Sequence, residues 1–186
     1  MVQPDALRAM WLSMTNLVAL ALKGRSIPSV SDWGLKNVYF PKLRRMRMDS
    51  KSLCPSLITL HFRSLTHLRF DDDVVLPPGC MQATSLTHYI GPLEAVLRFG
   101  AHATALQVCA IYEREEYRRT EWPSLSPLAA HRSLRTLMVV VEASEIELLR
   151  MLKDCHFPSV DELFLLYNNV WSNPVGVVPF PCPLPL

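Results

Sequence analysis

One hydrophobic pattern recurs along the 186 residues of the chain. It consists of an apolar residue, two variable residues, a second apolar residue, one variable residue and a third apolar residue. Successive copies begin between 20 and 28 residues apart, which indicates one structural unit repeated along the sequence. The copies begin at Leu17, Leu43, Leu65, Leu86, Leu106, Leu134 and Val160.

The pattern predicts a short β-strand in each copy. Alternate side chains of a strand point to opposite faces, so the fourth and sixth positions point into a core and the third and fifth face outward. A single strand cannot bury its apolar side alone, whereas stacked parallel copies can. The spacing lies close to the range of about 20–29 residues that is typical of leucine-rich repeats. We therefore predict an α/β fold, an irregular leucine-rich-repeat-like solenoid. Its parallel sheet has about seven short strands, with helices or loops on the convex side.

The segments between the copies carry helix signals. Gly91 is suited to cap a compact helix that has Pro92 in its first turn and Gly100 at its end. Ser144 and Glu147 form a capping-box pattern that opens an amphipathic helix. The predicted helices cover residues 4–11, 91–100 and 144–155.

Two features depart from a regular repeat. Residues 57–62 also fit the pattern, only eight residues before Leu65. One of these two copies must be loop, or they share a long strand or hairpin; we favour Leu65 because it keeps the spacing regular. At the ninth repeat position, where leucine-rich repeats usually place an asparagine, only Asn168 matches.

The outward positions of the predicted strands form the candidate binding surface. They change from basic in the early copies to apolar in the later ones. Arginine, methionine and aromatic residues are enriched at protein interfaces, so this face is predicted to bind a protein. An alternative is that these strands are covered on both sides. The predicted protein-binding residues are Arg45, Arg47, Arg69, Tyr112, Met138 and Phe164.

Composition narrows the class of protein. The hydrophobic fraction of 49% is typical of a folded domain, which we place at residues 1–173. Residues 174–186 are rich in proline and are predicted to form an extended, loosely held tail. A formal net charge of +2 gives no global case for nucleic acid or an anionic membrane as partner. The five cysteines lack paired spacing, which favours an intracellular, reducing location, cytoplasmic or nuclear.

No catalytic, cofactor or metal signature is found. The sequence lacks the GxSxG, Walker, GxGxxG and HExxH motifs, so a non-enzymatic chain without cofactor or metal is predicted. Residues 71–73 are three consecutive aspartates, which are interpreted as a solvated strand end rather than a metal site. An alternative is a small hydrolase or transferase that uses His67 or His88 on the sheet.

Three segments resemble the leucine-rich portion of mushroom-type fungal F-box proteins. These are residues 64–70, 85–93 and 157–163, and the Ile90-Gly91-Pro92 step is the most specific. The resemblance implies a repeat region that selects substrates for a cullin-type ubiquitin ligase, with a ubiquitination substrate and a cullin-ligase adaptor as partners. The F-box itself is not seen. A truncated or nonfunctional repeat remnant is the other hypothesis.

Overall fold

The structure, a computed structural model, describes residues 4–23, 34–35, 37–49, 55–71, 76, 84–113, 123–129, 131–141 and 145–167. The strands are β1 (Ala19–Leu22), β2 (Arg45–Met48), β3 (His67–Phe70), β4 (His88–Pro92), β5 (Val108–Glu113), β6 (Thr136–Val141) and β7 (Glu162–Tyr167). The helices are α1 (Pro4–Ser13), α2 (Pro55–His61), α3 (Leu93–Phe99), α4 (Ser126–Ala129) and α5 (Glu145–Leu152), and a 3₁₀ turn spans Gly100–His102. The predicted tail, residues 174–186, lies outside the described residues.

Within the described residues the fold is α/β, with one open seven-stranded sheet. Every neighbouring pair of strands is parallel, and the strands lie side by side in chain order. Each of the seven copies of the pattern contributes one strand, as predicted. Residues 57–62 belong to α2 and the turn after it, so the choice of Leu65 is confirmed. The predicted first helix is confirmed as α1.

The register of the ladder places equivalent positions of each copy opposite one another. Leu20 pairs with Met46, Met46 with Leu68, and the row continues through each strand to β7. From β2 to β6 the residues in this row are at most 2% exposed, because the helices pack on the same side of the sheet and share one core with them. The predicted common core of the repeats is therefore present.

The helix predicted over residues 91–100 begins two residues later than predicted. Gly91 and Pro92 belong to β4, and α3 begins at Leu93 with Pro92 as its N-terminal flanking residue. The α-helix ends at Phe99 with Gly100 as its C-terminal flanking residue, as predicted, and a 3₁₀ turn begins at Gly100. Gly91 and Pro92 carry local helix signals, but the parallel ladder with β5 extends the strand through both residues.

Gly91 is required in β4 because of its neighbour on the same face. The buried Tyr89 ring lies against Gly91, and the Tyr89 hydroxyl donates to the Pro92 carbonyl at 2.8 Å. A Cβ atom on Gly91 would lie 2.5 Å from that hydroxyl and 3.2 Å from Cδ2 of Phe70. The Ile90-Gly91-Pro92 step therefore has a packing explanation.

The helix predicted over residues 144–155 is shorter, since α5 covers Glu145–Leu152. Asp154 has a φ of 62°, a left-handed conformation that is common just beyond a helix end. Ser144, the predicted cap, lies outside the described residues, as does Asn168. Asp154 therefore marks the end of α5, and the sequence analysis did not predict a helix end at this residue.

The last strand differs from the others because its core-facing side is exposed. Leu163 and Leu165 occupy core positions of the pattern, yet they are 48% and 37% exposed. On the opposite side of the same strand, Phe164 and Leu166 are 40% and 42% exposed. Four consecutive apolar residues of β7 are therefore accessible on both faces.

Candidate protein-binding surface

The outer face of the sheet is the face that points away from the core. It is formed by the predicted outward positions of the strands. The ladder aligns these positions in rows that cross the strands, so that residues far apart in sequence become neighbours. One row contains Arg45, His67, His88, Val108, Thr136 and Glu162. The next row contains Arg47, Arg69, Ile90, Ala110, Met138 and Phe164.

Asp71 holds two arginines side by side at the basic end of the outer face. Its carboxylate oxygens accept hydrogen bonds from Nε of Arg47 at 2.7 Å and from Nε of Arg69 at 2.8 Å. Partial burial would raise the pKa of Asp71, but the hydrogen bonds from the two guanidinium groups hold it below its ordinary range. The Asp71 side chain is only 16% exposed. The interpretation of Asp71 as a solvated strand end is therefore wrong, while Asp72 and Asp73 lie outside the described residues.

His67 and His88 stack beside this cluster. Their ring centroids are 4.2 Å apart and their planes differ by 7°. Burial, then the neighbouring His88 and Arg45, lowers the pKa of His67, and burial lowers the pKa of His88. Both rings are therefore neutral near pH 7.

A threonine fixes the orientation of each ring in the stack. The hydroxyl of Thr66 lies 2.9 Å from Nδ1 of His67, and that of Thr87 lies 2.9 Å from Nδ1 of His88. Each hydroxyl also donates to a backbone carbonyl of the preceding strand segment, at 3.1 and 2.9 Å respectively. Because a hydroxyl has one hydrogen, this network assigns the imidazole hydrogen to Nδ1 and leaves Nε2 as an acceptor.

The outer face becomes apolar from β4 onward. Ile90, Val108 and Met138 are half-buried there, and Phe164 on β7 is clearly exposed. At the far edge, Glu162 is exposed and accepts a hydrogen bond from the Thr136 hydroxyl at 3.0 Å. The predicted change from basic to apolar along the array is therefore present on a continuous surface.

Tyr112 has a structural contact that the sequence did not predict. Met48 on β2 pairs with Phe70 on β3. The Met48 carbonyl accepts a hydrogen bond from the N–H of Asp71, the residue that follows Phe70. Continuing the β3–β4 register places Pro92 at the equivalent position for the Phe70 carbonyl, and proline has no N–H. The Tyr112 hydroxyl donates to that carbonyl instead. Tyr112 is therefore half-buried and connects β5 to β3 across β4.

The structure thus brings the predicted residues onto one face but not into one cluster. Arg45, Arg47 and Arg69 are neighbours at one end, and Met138 and Phe164 are neighbours at the other. The part missed by sequence reasoning is the polar network of Asp71, Thr66 and Thr87. Alternation places Asp71 on the same face as Arg69, so a signal for this contact was present in the sequence.

His67 and His88, the histidines of the catalytic alternative, are oriented by hydroxyl groups. The Nδ1 partners of His67 and His88 are threonine hydroxyls, whereas a catalytic histidine is usually oriented by a carboxylate. Among the described residues, no group of three or more histidine, cysteine, aspartate or glutamate side chains could hold a metal ion. The thiol of Cys109 is fully buried, which raises its pKa and suppresses its reactivity.

Comparison with known proteins supplies no family. The chain matches no protein-family model, and the search of curated proteins found no match. Within the described part of the chain, no helix is both long and apolar enough to cross a membrane. The resemblance to fungal F-box proteins therefore depends on the quoted residues alone.

Proposed function

We propose that this chain is a non-enzymatic protein-interaction module of the leucine-rich-repeat type, which binds a protein partner on its outer face. One observation carries the proposal: equivalent positions of seven sequence copies align in rows across a single parallel sheet. This arrangement gives a broad, continuous surface whose composition varies independently of the core. Extended surfaces of this kind are what repeat proteins use to bind partners.

Two groups of residues contribute to binding in different ways. Met138 and Phe164 supply apolar area that a partner can bury, and this term provides most of the affinity in protein complexes. Arg45, Arg47 and Arg69 supply charge, which affects the choice of partner and the rate of association more than the affinity. Tyr112, which pairs with Val140 in the ladder, contributes apolar surface while its hydroxyl is bonded within the sheet.

The biological setting that fits the resemblance is ubiquitin ligation. In this proposal the chain is the substrate-recognition part of an F-box type ubiquitin ligase adaptor. Its partners are then a ubiquitination substrate on the outer face and a cullin-ligase adaptor elsewhere. An intracellular location, cytoplasmic or nuclear, accompanies this proposal.

The test compares matched apolar substitutions in a capture experiment. The doubly substituted variant Met138→Ala, Phe164→Ala is expected to lose most proteins that the unsubstituted chain captures from native lysate, because it removes the apolar area of the outer face. The control is Ile146→Ala, Leu149→Ala on α5, where both residues are about 60% exposed and lie off the outer face. Quantitative mass spectrometry of the three captures is the readout.

The outcomes separate the hypotheses. Selective loss with the outer-face variant and none with the α5 control supports the proposal, and recovery of a cullin-ligase adaptor supports its ligase setting. Equal capture by all three proteins contradicts the role of the outer face. A chain that lacks a cooperative thermal transition supports the nonfunctional-remnant hypothesis.

A further inference from the structure

We propose that the segment that binds the outer face is an extended peptide of mixed character. Its clustered carboxylates bind over β2 and β3, and its apolar residues bind over β6 and β7. The inference rests on the proposed function, since it names the chemistry of the partner at the same surface.

The charge distribution orients such a segment. Arg45, Arg47 and Arg69 lie on the outer face of two neighbouring strands, and the carboxylate of Asp71 between two of them is mostly covered. At the opposite edge, Glu162 is exposed on β7. The acidic end of a ligand is attracted to the first site and repelled from the second.

The arginines are held in position before a ligand arrives. Asp71 engages one Nε–H of Arg47 and one of Arg69, and a guanidinium group carries five N–H donors. The Arg47 and Arg69 side chains remain 38% and 30% exposed, so both stay accessible from solvent. Because their side chains are already ordered, binding loses less conformational entropy than it would with two mobile arginines.

The spacing of the two sites predicts the pattern of the ligand. Neighbouring strands lie about 4.8 Å apart and an extended chain advances about 3.3 Å per residue. From Arg69 to Met138 the ladder crosses three strand intervals, about 14 Å, which corresponds to about four residues of an extended peptide. From Arg47 to Phe164 it crosses five intervals, corresponding to about seven residues.

A peptide fits this surface better than a nucleic acid does. A nucleic acid presents negative charge along its whole length, and this charge would extend over the exposed Glu162 and the apolar residues of β6 and β7. Among the residues that the structure describes, the outer face offers arginines at one end only. A segment with acidic residues at one end and apolar residues at the other matches both ends.

The test is selection from a randomised twelve-residue peptide library on the immobilised full chain. The expected peptides carry two or more Asp or Glu residues together, with an aromatic or aliphatic residue about four to seven positions away. For the strongest peptide, Arg45→Gln is expected to weaken binding several-fold. The charge-matched control Arg150→Gln, on the exposed side of α5, is expected to leave binding unchanged.

A second variant distinguishes electrostatic attraction from damage to the surface. Asp71→Asn loosens Arg47 and Arg69, but it also removes the negative charge between them. The gain in attraction is expected to exceed the loss of ordering, so the acidic peptide should bind more tightly. Weaker binding by Asp71→Asn, or selected peptides without acidic enrichment, overturns the inference. Tighter binding of oligo-dT or of phosphatidylserine vesicles than of the peptide also overturns it.

Failure of this inference and failure of the proposed function give different results. Selected peptides that are purely apolar, and that lose binding in the Met138→Ala, Phe164→Ala variant, overturn the acidic segment but support the outer face as a binding surface. The absence of any peptide that depends on the outer face overturns the acidic segment, and the capture experiment then decides the proposed function independently.

Discussion

The two ends of the outer face are built on the same core but are stabilised in different ways. From β2 to β4, the Asp71 carboxylate bonds two arginines, and the stacked histidines bond two threonines. Over β6 and β7, the side chains that point outward are mainly apolar, and Phe164 is exposed. One end is thus a polar network with fixed geometry, and the other is apolar area.

This difference shows that the repeat fixes the positions of side chains without fixing their chemistry. The core row stays apolar from β1 to β7, and from β2 to β6 it is buried, because a strand of a repeat buries one side in the shared core. The outer row is free of that requirement, so it can be basic at one end and apolar at the other. The two ends meet at β4, and Tyr112 on β5 connects them through its bond to Phe70 on β3. Substitutions in β4 and at Tyr112 therefore test the difference between the two ends.

The largest effect is expected from Gly91→Ala, because it damages the strand on which both ends depend. The new Cβ lies within 2.5 Å of the Tyr89 hydroxyl in a fully buried site, so the ring must move and lose its bond to Pro92. Overpacking of this kind costs about 1–3 kcal/mol, and the lost hydrogen bond adds about 1 kcal/mol. Urea denaturation at pH 7.5 measures the free energy of unfolding.

Gly100→Ala is the matched control. Its Cβ would lie 3.6 Å from Cδ2 of Leu128, an ordinary contact, and the backbone φ of Gly100 is −49°, which any residue adopts. A change of less than about 1 kcal/mol is expected. Equal losses of stability for the two glycine substitutions would contradict the packing explanation of the Ile90-Gly91-Pro92 step.

A smaller effect is expected from Tyr112→Phe, which tests the link between the two ends. The substitution leaves the Phe70 carbonyl without its hydroxyl donor and is expected to cost about 1–2 kcal/mol of unfolding free energy. In a Pro92→Ala background the backbone regains an N–H at the position that faces this carbonyl. The penalty of Tyr112→Phe should then shrink, and a double-mutant cycle measures the change. Additive effects would show that Pro92 does not create the need for Tyr112.

Sequence reasoning predicted the sheet because the strand signal is local and repeated. An alternating apolar pattern predicts which side of each strand is buried, and regular spacing predicts that the strands lie side by side. The same reasoning misplaced the helix at Gly91 and Pro92, since the extension of β4 depends on pairing with β5, which no local signal reports.

The candidate surface was predicted in outline for the same reason. Arg45, Arg47 and Arg69 were assigned to the outer face by alternation alone, and the ladder places them there. The contacts between them were not predicted, because they depend on the register between strands and on side-chain conformation. Tyr112 illustrates the limit: its bond to Phe70 follows from a missing N–H on a strand that lies between them.

The smallest effect is expected from pH, and it separates the two ends directly. Burial lowers the pKa of His67 and His88 below the ordinary value of 6.5, so both are neutral at pH 7.5 and gain charge only as the pH falls below 6.5. The charged groups near the pair are Arg45 on β2, Arg69 on β3 and the Asp71 carboxylate, which is bonded to Arg47 and Arg69. Ile90 on β4 and Val108 on β5 are uncharged. A carboxylate of the ligand bound beside the rings attracts their positive charge, so it favours the protonated form of His67 and His88.

We expect an acidic peptide to bind a few-fold more tightly at pH 6.0 than at pH 7.5, and an apolar peptide to bind equally at both, as measured by fluorescence anisotropy. In His67→Gln, His88→Gln the increase for the acidic peptide should disappear.

Burial also lowers the pKa of His61 and His131 in the core, so the unfolded chain binds more protons below pH 6.5 and the fold loses stability there. Circular dichroism must therefore show a folded chain at both pH values. If the chain is folded and the acidic peptide gains no affinity at pH 6.0, the histidine stack does not contribute to binding, and the arginines alone distinguish the basic end from the apolar one.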